Sequence, residues 1–400
     1  RGSYGEVGND QIGGDRFLYL PSSYGAASDS GVNKYNFGLA SNPYTSLMIV
    51  ENKIGNPDLT WEKAKKMNVG VDINLFNNCL TASFDIFKEK RNNILANRST
   101  SPMIIGANLP AYNLGEMENR GWEMDLNFRH HIQDFHYWAR FNYSFARNEI
   151  IYMDEVQKRY DYQMTTGRRK NQFFGLIFDG YYNSWEEINA LDRPKSSWSG
   201  NQLQPGDVKY VDVNQDGVID DYDMVPIGYT PVPEIIYGFS FGAQYKGFDF
   251  SILFQGADNV SIKYFGRSMW PFAKGEESAK SLIKERWTQE RYEAGEKITF
   301  PRLSLNPNGE TDHNYRPSTL WIRDASYLRL KNLEVGYTFT GGFVKRLNLN
   351  SVRLYFNGSN LFTWTDVVDL DPEAPSRSGN VEINTYPLQK VYNIGLNINF

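Results

Sequence analysis

The tightest constraint on the fold is a two-residue hydrophobic alternation, repeated in paired segments whose connections are short and long in strict turn. Val69, Val71, Ile73 and Leu75 alternate with Gly70, Asp72, Asn74 and Phe76, and Leu80, Ala82, Phe84 and Ile86 answer them across Asn77-Asn78. A period of two sends alternate side chains to opposite faces of a strand, so this pair reads as a β-hairpin with a two-residue turn. Trp122, Met124, Leu126 and Phe128 pair likewise with Phe135 to Phe145, around a short turn near His131. Tyr237 to Tyr245 runs through Lys246-Gly247 into Phe248 to Phe254. Leu333 to Phe339 precedes Val352 to Phe356, with a parity slip near Lys331-Asn332 that predicts a β-bulge. The last segment, Tyr392 to Phe400, sets Tyr392, Ile394, Leu396, Ile398 and Phe400 against Asn393, Gly395, Asn397 and Asn399.

The turns at 77–78, 130–134, 246–247 and 341–349 are short, whereas the connections at 90–119, 149–233, 258–325 and 359–388 are long. A transmembrane barrel has this segregation, because its periplasmic turns are short and its outer loops long. A soluble sandwich has no reason for it. Composition agrees: aromatics are 15% of the chain, charged residues 22% and mean hydropathy −0.54, too polar for a helical membrane protein. No apolar run approaches the roughly 18 residues a spanning helix needs. The expected class is therefore all-β, a transmembrane antiparallel β-barrel with about ten strands legible here. If the last strand ends in the periplasm, every long loop is extracellular. Asp72, Asn74, Glu123, Asp125, Arg129 and Arg140 then face a wet lumen. Residues 276–294, with Ala279, Leu282, Ile283, Trp287 and Tyr292 at helical spacing, predict an amphipathic helix inside the loop 258–325.

Net charge is −5 and no basic stripe with interleaved aromatics stands out, so nucleic acid is not an expected partner. Cys79, the one cysteine, cannot form an intrachain disulfide. No secretory leader pattern opens the sequence. Arg1-Gly2-Ser3-Tyr4-Gly5 reads like the middle of a strand, so the expectation is that these residues are the carboxy-terminal part of a longer chain.

One motif has metal-ligand spacing. Asp212, Asn214 and Asp216 offer side-chain oxygens at alternate positions, Gly217 allows a sharp turn, Val218 offers a backbone carbonyl, and Asp220 and Asp223 complete the set. Calcium takes six to eight hard oxygens, so Asp212, Asn214, Asp216, Val218, Asp220 and Asp223 form a candidate Ca2+ loop. Position twelve is Asp instead of the longer Glu, and Pro226 argues against an exiting helix. A solvated loop of Asx-turns accounts for the same residues. Gly238-Phe239-Ser240-Phe241-Gly242 matches a nucleophile elbow in letters, but the alternation runs straight through it, with only His313 downstream as a base. His130, His131 and His136 gather at a turn and read as polar turn surface. No catalytic set emerges, and no enzyme activity is expected.

Asn56-Pro57-Asp58-Leu59-Thr60-Trp61-Glu62, Met67 to Asp72 and Phe84-Asp85-Ile86-Phe87-Lys88 together resemble the SusC/RagA family of TonB-dependent outer-membrane transporters. Asn119-Arg120-Gly121-Trp122-Glu123, the acidic loop with Pro226-Ile227-Gly228, Arg286-Trp287-Thr288, Ala325 to Asn332 and Gly336-Tyr337-Thr338-Phe339 extend the resemblance to nearly the whole chain. It implies the carboxy-terminal portion of a 22-stranded, plugged barrel in a Gram-negative outer membrane, whose plug lies outside this sequence. It also implies TonB-dependent import of an oligomeric nutrient, a glycan oligosaccharide favoured over an oligopeptide. The implied partners are a SusD-like surface lipoprotein, the TonB-ExbB-ExbD complex and outer-membrane lipid. The alternative is a passive barrel or adhesin that binds ligands through its long loops. The terminal Phe400 resembles the signal read by barrel-assembly machinery.

Overall fold

The computed structural model describes residues 1–9, 18–20, 25–26, 34–39, 43–47, 49–50, 54–100, 109–198, 202–264, 270–272, 281–304, 312–368, 370–373 and 387–400. Ten strands form one antiparallel sheet in chain order: β1 (Gly2–Asn9), β2 (Glu62–Leu75), β3 (Leu80–Ala96), β4 (Tyr112–Ile132), β5 (Phe135–Tyr152), β6 (Ile235–Tyr245), β7 (Phe248–Asp258), β8 (Tyr327–Phe339), β9 (Ser351–Thr365) and β10 (Val391–Asn399). Each pairs with its predecessor and successor, so the sheet is a meander with no crossover. This is the barrel architecture that the alternation predicts.

The register keeps every apolar set on one face. Val71 lies opposite Phe84, Trp122 opposite Phe145, Phe239 opposite Phe254 and Leu354 opposite Leu396. Among the described residues nothing covers this face: Ile394 is 80% exposed and Phe248 61%. Leaving such side chains in water forfeits about 1.5–3 kcal/mol each, a cost that a hydrocarbon surround removes. Aromatic rings gather at both edges of the apolar band. Trp122 stacks on Tyr143 at 4.8 Å towards the long-loop rim, and Phe248 meets Tyr337 edge-on at 4.5 Å towards the short-turn rim. The expected bulge is present: registers of β8 with both neighbours shift at Lys331, returning Leu330 and Leu328 to the apolar face opposite Phe362 and Trp364.

Three local expectations are corrected. The first hairpin turns through Phe76–Cys79, not through Asn77-Asn78 alone, with Phe76, Asn77 and Asn78 all left-handed and Cys79 N–H donating to the Phe76 carbonyl. The connection read as 90–119 is shorter, because β3 continues to Ala96 and β4 begins at Tyr112. Beyond the apolar band both faces of the ladder carry polar side chains, so the alternation fades while the backbone pairing continues. The continuous helix 276–294 is replaced, among its described residues, by a 3-10 helix Ser281–Glu285 and a short α-helix, α1 (Gln289–Glu293). Residues 276–280, Ala279 among them, lie outside the described residues. Between the two helices Arg286 bridges to Phe300, and Trp287 N–H donates to the Phe300 carbonyl at 2.8 Å. That strand-like contact buries the Trp287 ring against Gly206 and overrides the helical spacing.

All short connections meet at one rim and all long ones at the other. Above the long-loop rim, the connections after β5, β7 and β9 share one hydrophobic core. Leu176, Val208 and Tyr210 from the first pack with Tyr264, Phe300, Tyr315 and Trp321 from the second and Val367 from the third.

Candidate functional site

The face opposite the apolar band is charged over its height, and its charges are arranged in pairs. Near the short-turn rim Arg353 reaches Asp249 across two strands and Glu334 at 2.6 Å, while Asn357 donates to the second Glu334 oxygen at 3.1 Å. Arg1 joins Asp72 at 3.1 Å and also bonds Asp85, and Ser83 donates to Asp72. Towards the long-loop rim Arg329, 2% exposed, meets Asp371 at 2.6 Å and Glu373 at 3.0 Å, which fastens the last long connection to the sheet. Asp72, Asn74, Glu123, Asp125, Arg129 and Arg140 take this polar parity, in register with one another as expected. Arg353, Asp249 and Glu334 also stand at polar-parity positions, so the alternation carries their signal. Asp371 and Glu373 lie in irregular loop and have no such signal.

A cavity of about 470 Å3 opens where the polar face meets the long connection after β5. Its wall presents Glu62, Glu89 and Arg91 from β2 and β3, and Arg169, Lys170 and Glu234 from the connection. Arg91 donates to Glu89 at 2.8 Å and lies 3.7 Å from Glu62. Glu234, with 4% of its side chain exposed, takes a bidentate bond from Arg147 at 2.8 and 2.9 Å and a second bond from Arg169. The Lys170 ammonium has no carboxylate within 4 Å among the described residues. Each wall carries both signs, but carboxylates outnumber the cation on the strand side, Glu62, Glu89 and Glu118 against Arg91. Cations outnumber the carboxylate on the connection side, Arg169 and Lys170 against Glu234, which makes this a bipolar cavity, able to hold a polar chain by both charge signs.

The acidic loop is closed by its own backbone. Asp212 accepts the Gln215 and Gly217 N–H groups at 2.7 and 2.8 Å, Asn214 accepts Asp216 N–H, and Asp216 accepts Val218 N–H. Asp220 caps Tyr222 N–H, and the fully buried Asp223 accepts from Val213, Asn214 and Asp220. Burial pushes the Asp223 carboxyl above its ordinary range, against the pull of those N–H groups. Among the described residues no group of three or more His, Cys, Asp and Glu side chains is gathered to hold an ion. The loop is thus a run of Asx-turns, and its fit to calcium rests on donor spacing alone.

Ser240 lies within β6 between Arg140 and Leu253, and no elbow forms. His313 is elsewhere, inside the loop core. Its Nε2 bonds the Val208 carbonyl at 2.8 Å and its Nδ1 meets Ser196 Oγ at 2.9 Å. The second ring nitrogen thus serves a backbone carbonyl, not an orienting carboxylate, so the Ser196–His313 pair pins two loops together. Burial holds the His313 imidazole below its usual range, Val208, Asp207 and Asp312 opposing and Arg193 assisting. His130 and His131 belong to β4, not to the turn as expected, and His131 stacks on His136 directly opposite with centroids 5.5 Å apart.

Comparison with known proteins gives concordant matches. The family model for the TonB dependent receptor-like β-barrel matches residues 1–361. TonB-dependent receptor P3 of Formosa agariphila is 27% identical over 100% of this chain and 39% of its own length. TonB-dependent receptor SusC of Bacteroides thetaiotaomicron is 26% identical over 99% of this chain and 37% of its own. Among solved structures, the RagAB peptide importer in its open-open state superposes with a TM-score of 0.69 at 24% identity, over 100% of this chain and 40% of that one. The chain thus spans about two fifths of the length of the relatives it matches.

Proposed function

Because the chain belongs to the TonB-dependent receptor β-barrel family, we propose that it forms the carboxy-terminal part of an outer-membrane importer for an oligomeric nutrient. The long loops are extracellular in this reading, and a SusD-like lipoprotein hands the ligand to them. Energy comes through TonB and its ExbB-ExbD partners, engaged by parts of the protein outside this sequence. The observation that carries the reading is the charged face of the sheet, paired Arg353–Asp249–Glu334 at one rim and opening into the bipolar cavity at the other. A wall of that kind suits a wet lumen and has no use against lipid.

For the ligand, aromatic side chains favour a glycan, whereas the bipolar cavity suits a peptide with both charge signs equally well. Uptake by cells expressing the full-length protein should therefore be followed for a labelled neutral oligosaccharide and a labelled oligopeptide. Accumulation of one of them should vanish when the proton-motive force is collapsed. Uptake that continues unchanged would support the passive barrel instead.

For the acidic loop, a calcium ion is proposed on its donor spacing. Each carboxylate oxygen has a second lone pair, so Asp212 and Asp216 could keep their N–H bonds while sharing an ion with Asn214, Asp220, Asp223 and the Val218 carbonyl. Calorimetric titration of calcium into the full-length protein should give heat that Asp212→Asn/Asp216→Asn removes. Equal heats from both proteins would leave the loop as an Asx-turn structure alone.

A further inference from the structure

The apolar face of β4 and β5 ends abruptly towards the long-loop rim. Trp122 and Phe145 lie opposite each other, and the next residues of the same outward parity are Arg120 and Arg147, also opposite each other, followed by Glu118 and Glu149. At this level the long connection after β5 folds back and docks on the free edge of that strand. Gly167 N–H donates to the Ile150 carbonyl at 2.7 Å, and Ile150 N–H donates to the Arg168 carbonyl at 2.8 Å. The docking brings Arg168 and Arg169 beside Arg120 and Arg147 and forms an open cavity of about 220 Å3 in which Glu149 is the one lining carboxylate among the described residues.

The charges here are unbalanced. Glu234 serves both Arg147 and Arg169. Arg120 has only long pairs, 3.7 Å to Glu149 and 4.0 Å to Glu118. Arg168 donates to the Met164 carbonyl and has no carboxylate within 4 Å among the described residues. Four guanidiniums (Arg120, Arg147, Arg168, Arg169) thus face Glu149 and Glu234, while Glu118 is held more closely by Lys88 at 2.9 Å, which leaves an excess of two positive charges. On β3, Lys88 and Lys90 stand at the same parity and are each paired at 2.9 Å, with Glu118 and Glu116, so they leave the excess unchanged. A phosphate monoester carries about −1.5 to −2 at neutral pH, which offsets that excess, and guanidinium forks match its oxygens in bidentate geometry.

We propose that this cavity is a binding site for the phosphorylated headgroup of a lipid in the outer leaflet. The reason for a lipid over a free anion is position. The cavity follows directly on the Trp122–Tyr143 stack, where interfacial aromatics end the apolar band, so a phosphate held here has its acyl chains laid along the outward face of β3 to β5. This site rests on the membrane-spanning reading of the sheet and does not depend on what is imported.

The test is lipid binding to the full-length protein in detergent, followed by native mass spectrometry with two probes, a phosphorylated, acylated glucosamine disaccharide and the same lipid after phosphatase treatment. The unaltered protein should prefer the phosphorylated form by about tenfold or more, the scale of one lost charge-assisted hydrogen bond, and Arg120→Ala/Arg168→Ala should abolish the preference. Arg120→Lys/Arg168→Lys keeps the charge and should retain most of it, which separates loss of the site from loss of the fold. Equal binding of the two lipids, or a preference untouched by the alanine pair, would overturn the proposal. Complete displacement of the lipid by millimolar inorganic phosphate would also overturn it, by making the cavity a free-anion site. Transport is not read, so a negative result leaves the import proposal intact. Loss of heat-dependent gel mobility would instead indict the barrel itself.

Discussion

At the residue scale, His313 shows how a side chain with functional chemistry becomes a structural pin. Its neutral form satisfies one donor and one acceptor bond inside the loop core, so protonation adds a buried charge. Because its folded pKa lies below the unfolded one, the unfolded state takes up more protons below about pH 6.5. Stability of the loop core should be complete above that pH and fall by up to about 1.4 kcal/mol per pH unit as the solution is acidified towards the folded pKa. Amide hydrogen exchange at Val208 and Tyr315, measured at pH 7 and pH 5.5, reads this directly, and His313→Gln should flatten the dependence. Nothing in the sequence marked His313 for this role, since Ser196 and Val208 lie over a hundred residues away.

At the element scale, the long connections act as one folded body because a buried polar centre ties them. Asp207, 3% exposed, accepts from Gln204 N–H within its own connection at 2.8 Å. From the next connection it takes Arg302 at 2.6 Å and Asn314 at 2.7 Å. Asp207→Ala leaves the partly buried Arg302 guanidinium and the buried Asn314 amide without their acceptor and should cost about 1–3 kcal/mol of that body's stability. Limited proteolysis should then cut within 153–234 and 259–326 at protease levels that spare the parent protein, while the ten-stranded sheet stays intact. The same scale explains the failed helix 276–294. Its apolar spacing was real, but Trp287 found a better partner in Phe300 and Gly206 than helical neighbours could offer. The hairpins were legible because their partners are adjacent in sequence and their period is short. The loop body was not, because its contacts join segments far apart.

At the scale of the whole molecule, the two faces of the sheet have opposite tolerance for charge. Ile394 and Asn393 are neighbours on β10 with opposite parity, the first paired with Phe356 on the apolar face and the second with Asn357 on the polar one. Ile394→Lys should destabilise the membrane-inserted full-length protein by about 2–4 kcal/mol, less if the position lies near an interface, and Asn393→Lys by little. Urea unfolding in lipid vesicles, followed by heat-dependent gel mobility, would show the difference; equal effects would mean that the apolar face does not meet lipid. The sequence by itself determined the strands of the four hairpins, their pairing within each hairpin, the bulge near Lys331-Asn332 and which face is apolar, because a period of two and a short turn are local instructions. Only the tertiary structure decided how the long connections fold over the rim. It also decided which carboxylate each arginine meets and where positive charge is left over beside the apolar band. Those outcomes depend on closing loops of many tens of residues, and the energy that selects among them is released only when distant segments are already in contact.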